Sequence, residues 1–268
     1  MPKLNVGIAG SAGRMGLALV EAVFADDGLK LAAVLEQTGN PNLGKDAGEF
    51  AGLPCGVAIS DDIEGGVAKI DVLIDFTRPD GTLKHIVACR KRGVKMVIGT
   101  TGFSDTQKKT IADAARDIAI VFAPNMSVGT NLVFKLADTA ARVLNKDYDV
   151  EIIEAHHRHK IDAPSGTALH LGEIIANALG RSLKECAVYG REGATSERKA
   201  AAIGFSSIRG GDIIGEHTVM FAGTGERVEL TVRSASRAMY AQGALRAVHF
   251  LAGKKSGLFD MQDVLGLR

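Results

Sequence analysis

The sequence predicts an α/β fold: a parallel sheet covered on both faces by helices, followed by a second α+β domain built on a mixed sheet. Three observations carry that expectation. As far as Phe122, short apolar runs alternate with helically spaced apolar residues, the pattern of a parallel sheet with crossover helices. Gly10, Gly13 and Gly16 crowd the junction between the first run and the first helix. After Asn125 the rhythm changes, and three strand-like stretches succeed one another between Ala200 and Val232 with turn-rich breaks between them.

Leu4 to Ala9 is the first apolar run, of a length that suits a buried strand. Met15 to Phe24 has helical spacing, Leu31 to Leu35 reads as a second strand, and Asp71 to Phe76 as a third. Thr77 or Arg78 should end that strand, and Pro79 suits the first turn of a helix running to about Arg92, because it lacks an N–H that the turn would leave unpaired. Val94 to Ile98 is another strand. Ser104-Asp105-Thr106-Gln107 reads as a capping box opening the next helix, and Ile118 to Phe122 as the strand after it. Beyond the change of rhythm, Leu132 to Leu144 is expected as a helix, Tyr148 to Ala155 as a strand and Gly166 to Leu179 as a helix. Strands follow over Ala201 to Ile208, Ile213 to Ala222 and Arg227 to Arg233, separated by Arg209-Gly210-Gly211-Asp212 and Gly223-Thr224-Gly225-Glu226. Met239 to Leu251 returns to helix and is expected to pack back on the first domain. The division is therefore 1–127 with 237–268, and 128–236.

The 268 residues are 46% apolar and 24% charged, an ordinary globular composition, and the formal net charge of +1 gives no pull toward nucleic acid or a membrane surface. No apolar run approaches the roughly 20 residues that span a bilayer. Met1-Pro2-Lys3-Leu4 has no signal-peptide layout. Cys55, Cys89 and Cys186 are widely spaced, with no C-x-x-C pair, which suits free thiols in a reducing cytoplasm and no metal site.

Gly10-Ser11-Ala12-Gly13-Arg14-Met15-Gly16 lies between a strand and a helix, as a variant of the Rossmann-type dinucleotide fingerprint. Glycines allow the tight turn and let backbone amides approach a pyrophosphate at the helix start. The alternative is a glycine turn that serves packing alone. Glu36 favours the cofactor, since an acid about 20 residues on would hold the ribose hydroxyls. Arg14 is placed either to reach a phosphate or to lie in solvent. Gly99-Thr100-Thr101-Gly102 and Ala123-Pro124-Asn125-Met126 follow strands at the carboxyl edge of the sheet, where ligands of open α/β sheets bind, though simple loop chemistry also fits them.

Glu154, His156, His157, Arg158, His159 and Lys160 form the most polar run of the chain. Unpaired burial of these charges would be costly, so the run is not expected as a core strand. It suits an anionic ligand that also needs a proton: imidazole donates near neutral pH and lysine supplies an ammonium. Asp162-Ala163-Pro164-Ser165-Gly166-Thr167 then turns into a helix whose first amides suit a carboxylate. A solvated basic loop, or a phosphate site, is the plainer reading. His157 and His159 could share a strand face and a zinc ion, but Arg158 and Lys160 would repel a dication. His85, His170, His217 and His249 sit in ordinary helix or strand patterns, and Arg237 either caps a helix or contacts substrate.

Taken together, these segments closely resemble the 4-hydroxy-tetrahydrodipicolinate reductase family, also called dihydrodipicolinate reductase. The segments are Val6-Gly7-Ile8-Ala9-Gly10 with Gly13-Arg14-Met15-Gly16, Asp75-Phe76-Thr77, Gly99-Thr100-Thr101-Gly102, Pro124-Asn125-Met126-Ser127-Val128-Gly129, 151–160, 162–169 and Ser256-Gly257-Leu258-Phe259-Asp260-Met261. The resemblance implies a homotetramer, a nucleotide domain over 1–127 with 237–268, and a substrate-binding and oligomerisation domain over 128–236. It implies hydride transfer from NADH or NADPH to a cyclic dicarboxylate in the diaminopimelate and lysine pathway. By motif, His156 looks like the proton donor and Lys160 like a second proton-donating or polarising residue. His157, Ser165, Gly166 and Thr167 resemble substrate contacts. Gly10, Ser11, Ala12, Gly13, Arg14, Met15, Glu36, Gly99, Thr100, Thr101, Ala123, Pro124, Asn125 and Met126 resemble cofactor contacts. Many members carry a basic residue after the acid that ends the second strand; Gln37 stands there in this chain, which argues against a strong NADPH preference.

Two other readings compete. A dehydrogenase acting on aspartate semialdehyde or homoserine would share the two-domain plan, but not the histidine run. A dinucleotide-sensing regulator would use the glycine loop and leave 156–160 without a role.

Overall fold

The computed structural model describes residues 3–268, together with the backbone but not the side chain of Arg14. The chain forms two compact units, 1–128 with 237–268, and 129–236.

In the first unit the elements run β1 (Leu4–Ala9), α1 (Arg14–Phe24), β2 (Leu29–Leu35), a 3₁₀ turn (Glu49–Ala51), β3 (Ile59–Ser60), α2 (Ile63–Val67), β4 (Val72–Asp75), α3 (Pro79–Arg92), β5 (Lys95–Ile98), α4 (Asp105–Ala114) and β6 (Ala119–Phe122). The sheet order is β3-β2-β1-β4-β5-β6 with one further strand, Gly257–Phe259, beside β6, and every pairing is parallel. Strand order reverses between β1 and β4, which opens a crevice beyond their carboxyl ends. Period-two alternation splits the strand side chains between two cores. Val6, Ile8, Val72, Ile74 and Val97 face α1 and a C-terminal helix, while Leu73, Met96 and Ile98 face α3 and α4. The capping box at Ser104 forms as expected: its Oγ accepts from Gln107 N at 3.2 Å, and its N–H donates to Gln107 Oε1 at 2.9 Å.

The second unit holds α5 (Val128–Leu144, whose first residue belongs to the first unit), β7 (Asp149–His156), α6 (Gly166–Ala178), α7 (Leu183–Cys186), β8 (Ala187–Tyr189), β9 (Ile203–Arg209), β10 (Gly215–Ala222) and β11 (Arg227–Ser234). Its sheet, β11-β10-β7-β9-β8, is mixed: β7, β8 and β9 run parallel, and β10 pairs antiparallel with both β7 and β11. One face packs on α5 and α6 through Phe134, Ala137, Val150, Ile152, Leu171, Ile175, Phe205 and Phe221. The chain returns to the first unit with α8 (Ala238–Ala252), β12 (Gly257–Phe259) and α9 (Met261–Val264).

Two differences from the sequence reading have physical causes. β3, α2, α7, β8, β12 and α9 are too short for a periodic signal, and the short strands exist because a neighbour offers an open edge, as β2 does for Ile59 and β6 for Leu258. The polar run is not wholly outside the core. The expected strand extends one residue further, to His156, and Glu154 within it lies on β7, the central strand of its sheet, in phase with the inward-facing Val150 and Ile152. Glu154 is only 1% exposed. A charge is tolerated there because it is fully paired.

Candidate active site

The crevice beyond β1 and β4 is built from glycine. Gly10 adopts φ +86°, and a Cβ there would stand 2.8 Å from the Phe76 carbonyl oxygen. A Cβ on Gly16 would overlap the backbone of Ser11, so α1 begins in direct contact with its own loop. Gly13 caps α1 without a side chain, leaving first-turn amides for an external anion. Glu36, at the end of β2, lies against this loop: its Oε1 accepts from Ala12 N at 2.7 Å, while Oε2 accepts from Gln37 N and Asn40 Nδ2, both at 3.2 Å. A loop with no room for a Cβ at Gly10 or Gly16, bare first-turn amides and an adjacent acid fit a dinucleotide. The Arg14 side chain, expected near a phosphate, lies outside the described residues.

The loops after β5 and β6 sit on the same edge, but several side chains expected to meet a cofactor turn inward. Thr100 is buried, its hydroxyl shared among Asp75, Thr82 and the Thr77 amide. Asp75 is wholly buried and accepts from Thr77, Thr82, Thr100 and His85, the last at 2.7 Å. Ala123 and Met126 are core residues, and the Met126 carbonyl lies where a Cβ on Gly243 would be. These positions offer backbone rather than side chains to a ligand. Ala12, Thr101 and Pro124 are exposed, whereas Ser11, Gly99 and Asn125 are half-buried.

In the second unit one carboxylate organises the site. Glu154 accepts a two-pronged bond from Arg209, Nη1 to Oε2 at 2.8 Å and Nη2 to Oε1 at 2.7 Å. It also accepts from His156 Nδ1 at 2.6 Å and from Ser165 N at 3.2 Å. Burial alone would raise its carboxyl, but Arg209, Ser207 and His156 hold it down at about 2, so it is ionised at neutral pH. Burial lowers the His156 imidazole below its ordinary value, against the upward pull of Glu154, and Lys160 and Arg209 add to the lowering. His217, across the ladder from Glu154, stacks edge-on against His156 with ring centroids 5.2 Å apart. Burial, aided by the charge on His156, takes His217 down to about 4.

After His156 the chain leaves the sheet. Gly210 N bonds the His156 carbonyl at 3.0 Å, Arg158 N bonds Gly211 O at 3.2 Å, and Lys160 N closes a turn on His157 O at 3.1 Å. Lys160 Nζ is held by Asp162 at 2.8 Å. His157 is half-buried with its Nδ1 unpaired among the described residues. No group of three metal-ligating side chains occurs among the described residues. Ser165, expected to touch substrate, is instead 2% exposed and committed internally: its N–H goes to Glu154, and its Oγ bonds Ala168 N and His217 Nε2. Gly166, the first residue of α6, is exposed, and no atom lies within 4 Å of where its Cβ would be. Thr167 is half-buried. Arg209 and His217 escaped the sequence reading, Arg209 as part of a turn and His217 as an ordinary strand residue. Only the β9–β7–β10 register brings them to Glu154.

A parallel α/β sheet with a glycine-rich turn at the point where its strand order reverses is the architecture of a nucleotide-dependent oxidoreductase. Models of the two halves of dihydrodipicolinate reductase match the chain, the N-terminus over residues 4–126 and the C-terminus over 129–265. The chain belongs to the dihydrodipicolinate reductase family. It is 63% identical to a 4-hydroxy-tetrahydrodipicolinate reductase of Nitrosospira multiformis and 62% identical to one of Dechloromonas aromatica, each over all of both chains. Among solved structures it resembles the dipicolinate-bound dihydrodipicolinate reductase of Paenisporosarcina sp. TG-14, with a TM-score of 0.78 and 28% identity over 97% of this chain and 98% of that one.

Proposed function

We propose that this chain reduces 4-hydroxy-tetrahydrodipicolinate to tetrahydrodipicolinate with NADH or NADPH, the 4-hydroxyl leaving as water, in the diaminopimelate branch of lysine synthesis. The observation that carries the reading is the Glu154–His156 pair set against the start of α6. A cyclic dicarboxylate needs amides or cations for its carboxylates and an acid for the site that hydride leaves negative. The bound nicotinamide supplies the hydride. Gly10 to Met15 and Glu36 hold its adenosine end, and the backbone at Gly99–Thr101 and Ala123–Met126 forms the rest of its seat. His156 delivers the proton from Nε2, Lys160 draws and polarises the dianion, His157 contacts it, and the Gly166 and Thr167 amides receive one carboxylate. A dianion beside His156 favours the imidazolium, so substrate binding itself raises the protonated fraction. The reading includes a homotetramer and a cytoplasmic setting. Its direct test is oxidation of NADH in an assay coupled to the synthase that makes the substrate; no oxidation with either cofactor would end it.

Gly166→Pro isolates the amide contribution. Ser165 already has φ −65° and ψ 154°, the geometry a residue before proline prefers, and proline is tolerated at the first helical position. The variant should fold and raise substrate KM roughly tenfold or more by deleting one charge-assisted hydrogen bond. An unchanged KM would remove Gly166 from the substrate site.

Cofactor choice rests on Glu36 and the exposed Gln37. The carboxylate repels a 2′-phosphate, and Gln37 supplies no offsetting charge. NADH is expected to serve at least as well as NADPH, and Gln37→Arg should raise kcat/KM for NADPH by adding a charge-assisted contact. The comparison is made at fixed ionic strength, because the contact is screened. A strong wild-type NADPH preference unmoved by the substitution would mean that the phosphate is read elsewhere.

A further inference from the structure

Glu154 does more than balance Arg209. An ionised carboxylate only accepts. Glu154 receives two N–H groups of Arg209, the Ser165 N–H, the Ser207 side chain and His156 Nδ1. His156 must therefore carry its hydrogen on Nδ1 when neutral, which leaves Nε2 as the atom that takes up and releases a proton. His217 does not compete for that role: burial holds it down at about 4, so it is neutral where His156 works. Its Nε2 is engaged by Ser165 Oγ at 2.9 Å, and that hydroxyl also accepts the Ala168 N–H, so His217 seats the cap of α6. Both the imidazole and the helix start hang from the same carboxylate, one hydrogen bond from each.

We propose that Glu154 is the positioning residue of the proton transfer: it fixes His156 in the Nδ1–H tautomer with Nε2 as the delivering atom, and holds that ring in register with the amides at the start of α6. The proposal rests on the reductase reading for its consequence in turnover, but not for the tautomer itself. The charged or titratable groups facing His156 are Glu154 on β7, Arg209 on β9, His217 on β10 and Lys160 in the following turn, with Asp162 on Lys160. Of these, Glu154 is the anion in direct contact with the ring. It is the group that favours the imidazolium, while Lys160 and Arg209 oppose it. A buried ion pair that merely stabilised the fold would need Arg209 but not the imidazole.

The test uses the full chain labelled with ¹⁵N-histidine, with His156 assigned by the signal lost in His156→Gln. Without substrate, long-range ¹H–¹⁵N correlation spectra should show the neutral ring of His156 protonated at Nδ1. An Nε2–H tautomer in the wild type would overturn the proposal whatever any variant does. In Glu154→Gln the titration midpoint of His156 should move down by about one pH unit or more, and the alkaline limb of kcat/KM should move with it. A folded Glu154→Gln protein with unmoved midpoint and limb would also overturn it. Should that variant not fold, the tautomer decides, read in the wild type and again in Arg209→Lys: that variant keeps a cation by Glu154, so the Nδ1–H tautomer must persist, and its loss would count against Glu154. If the wild type failed to turn over the substrate while the tautomer stood, the functional reading would fall and the wiring would not.

Discussion

His156→Ala is expected to lower kcat by roughly 10²–10⁴-fold, the range a positioned general acid contributes, while the dissociation constant of NADH stays near that of the wild type. Lys160→Ala should cost at least about tenfold and raise KM as well, because its ammonium acts on the dianion before and during reaction. The separation follows from the fold: both residues belong to the second unit, whereas the glycine cradle belongs to the first. The pH dependence has a definite sign. Activity needs the protonated imidazole, so kcat/KM should fall as pH rises through the His156 value, which burial places below the ordinary histidine range in the free enzyme. Stopped-flow rates across pH with both variants check this. Wild-type kcat in His156→Ala would remove the proton donor from the proposal.

Gly16→Ala is the second large effect. Its new methyl would overlap the Ser11 backbone and press on the Gly10 carbonyl, neither of which is a flexible side-chain end. The loop must shift, and displacing a binding group by about 1 Å can cost on the order of a hundredfold. Cofactor affinity should fall accordingly, at a stability cost of about 1–3 kcal/mol from overpacking. Gly13→Ala provides the contrast, since its Cβ would come no nearer than 3.4 Å to the Gly10 carbonyl oxygen. Fluorescence titration with NADH, beside thermal melts of all three proteins, reads both quantities. Equal affinities for wild type and Gly16→Ala would show that the loop does not hold the dinucleotide.

Local chemistry was enough for much of the molecule. The glycine loop, the bounds of α3 at Pro79 and Arg92, the capping box at Ser104 and the strand phases of β1, β4 and β7 are all set by neighbours within a few residues. Such signals survive in one dimension because they act through φ preferences, missing N–H groups and period-two burial. The polar run stood out for the same reason: no core strand carries so many charges unpaired.

Its pairing was decided elsewhere. Glu154 reads as exposed until β9 delivers Arg209 and Ser207 and the start of α6 delivers Ser165 N. Those partners lie 55, 53 and 11 positions away in sequence. The Thr100 hydroxyl likewise reads as free for a ligand until Asp75 and Thr82 turn it inward. Composition and periodicity show which residues can bear charge or burial. Sheet register alone determines which two of them meet, because a carboxylate becomes stable in a core only when specific donors from separate strands arrive at its oxygens together.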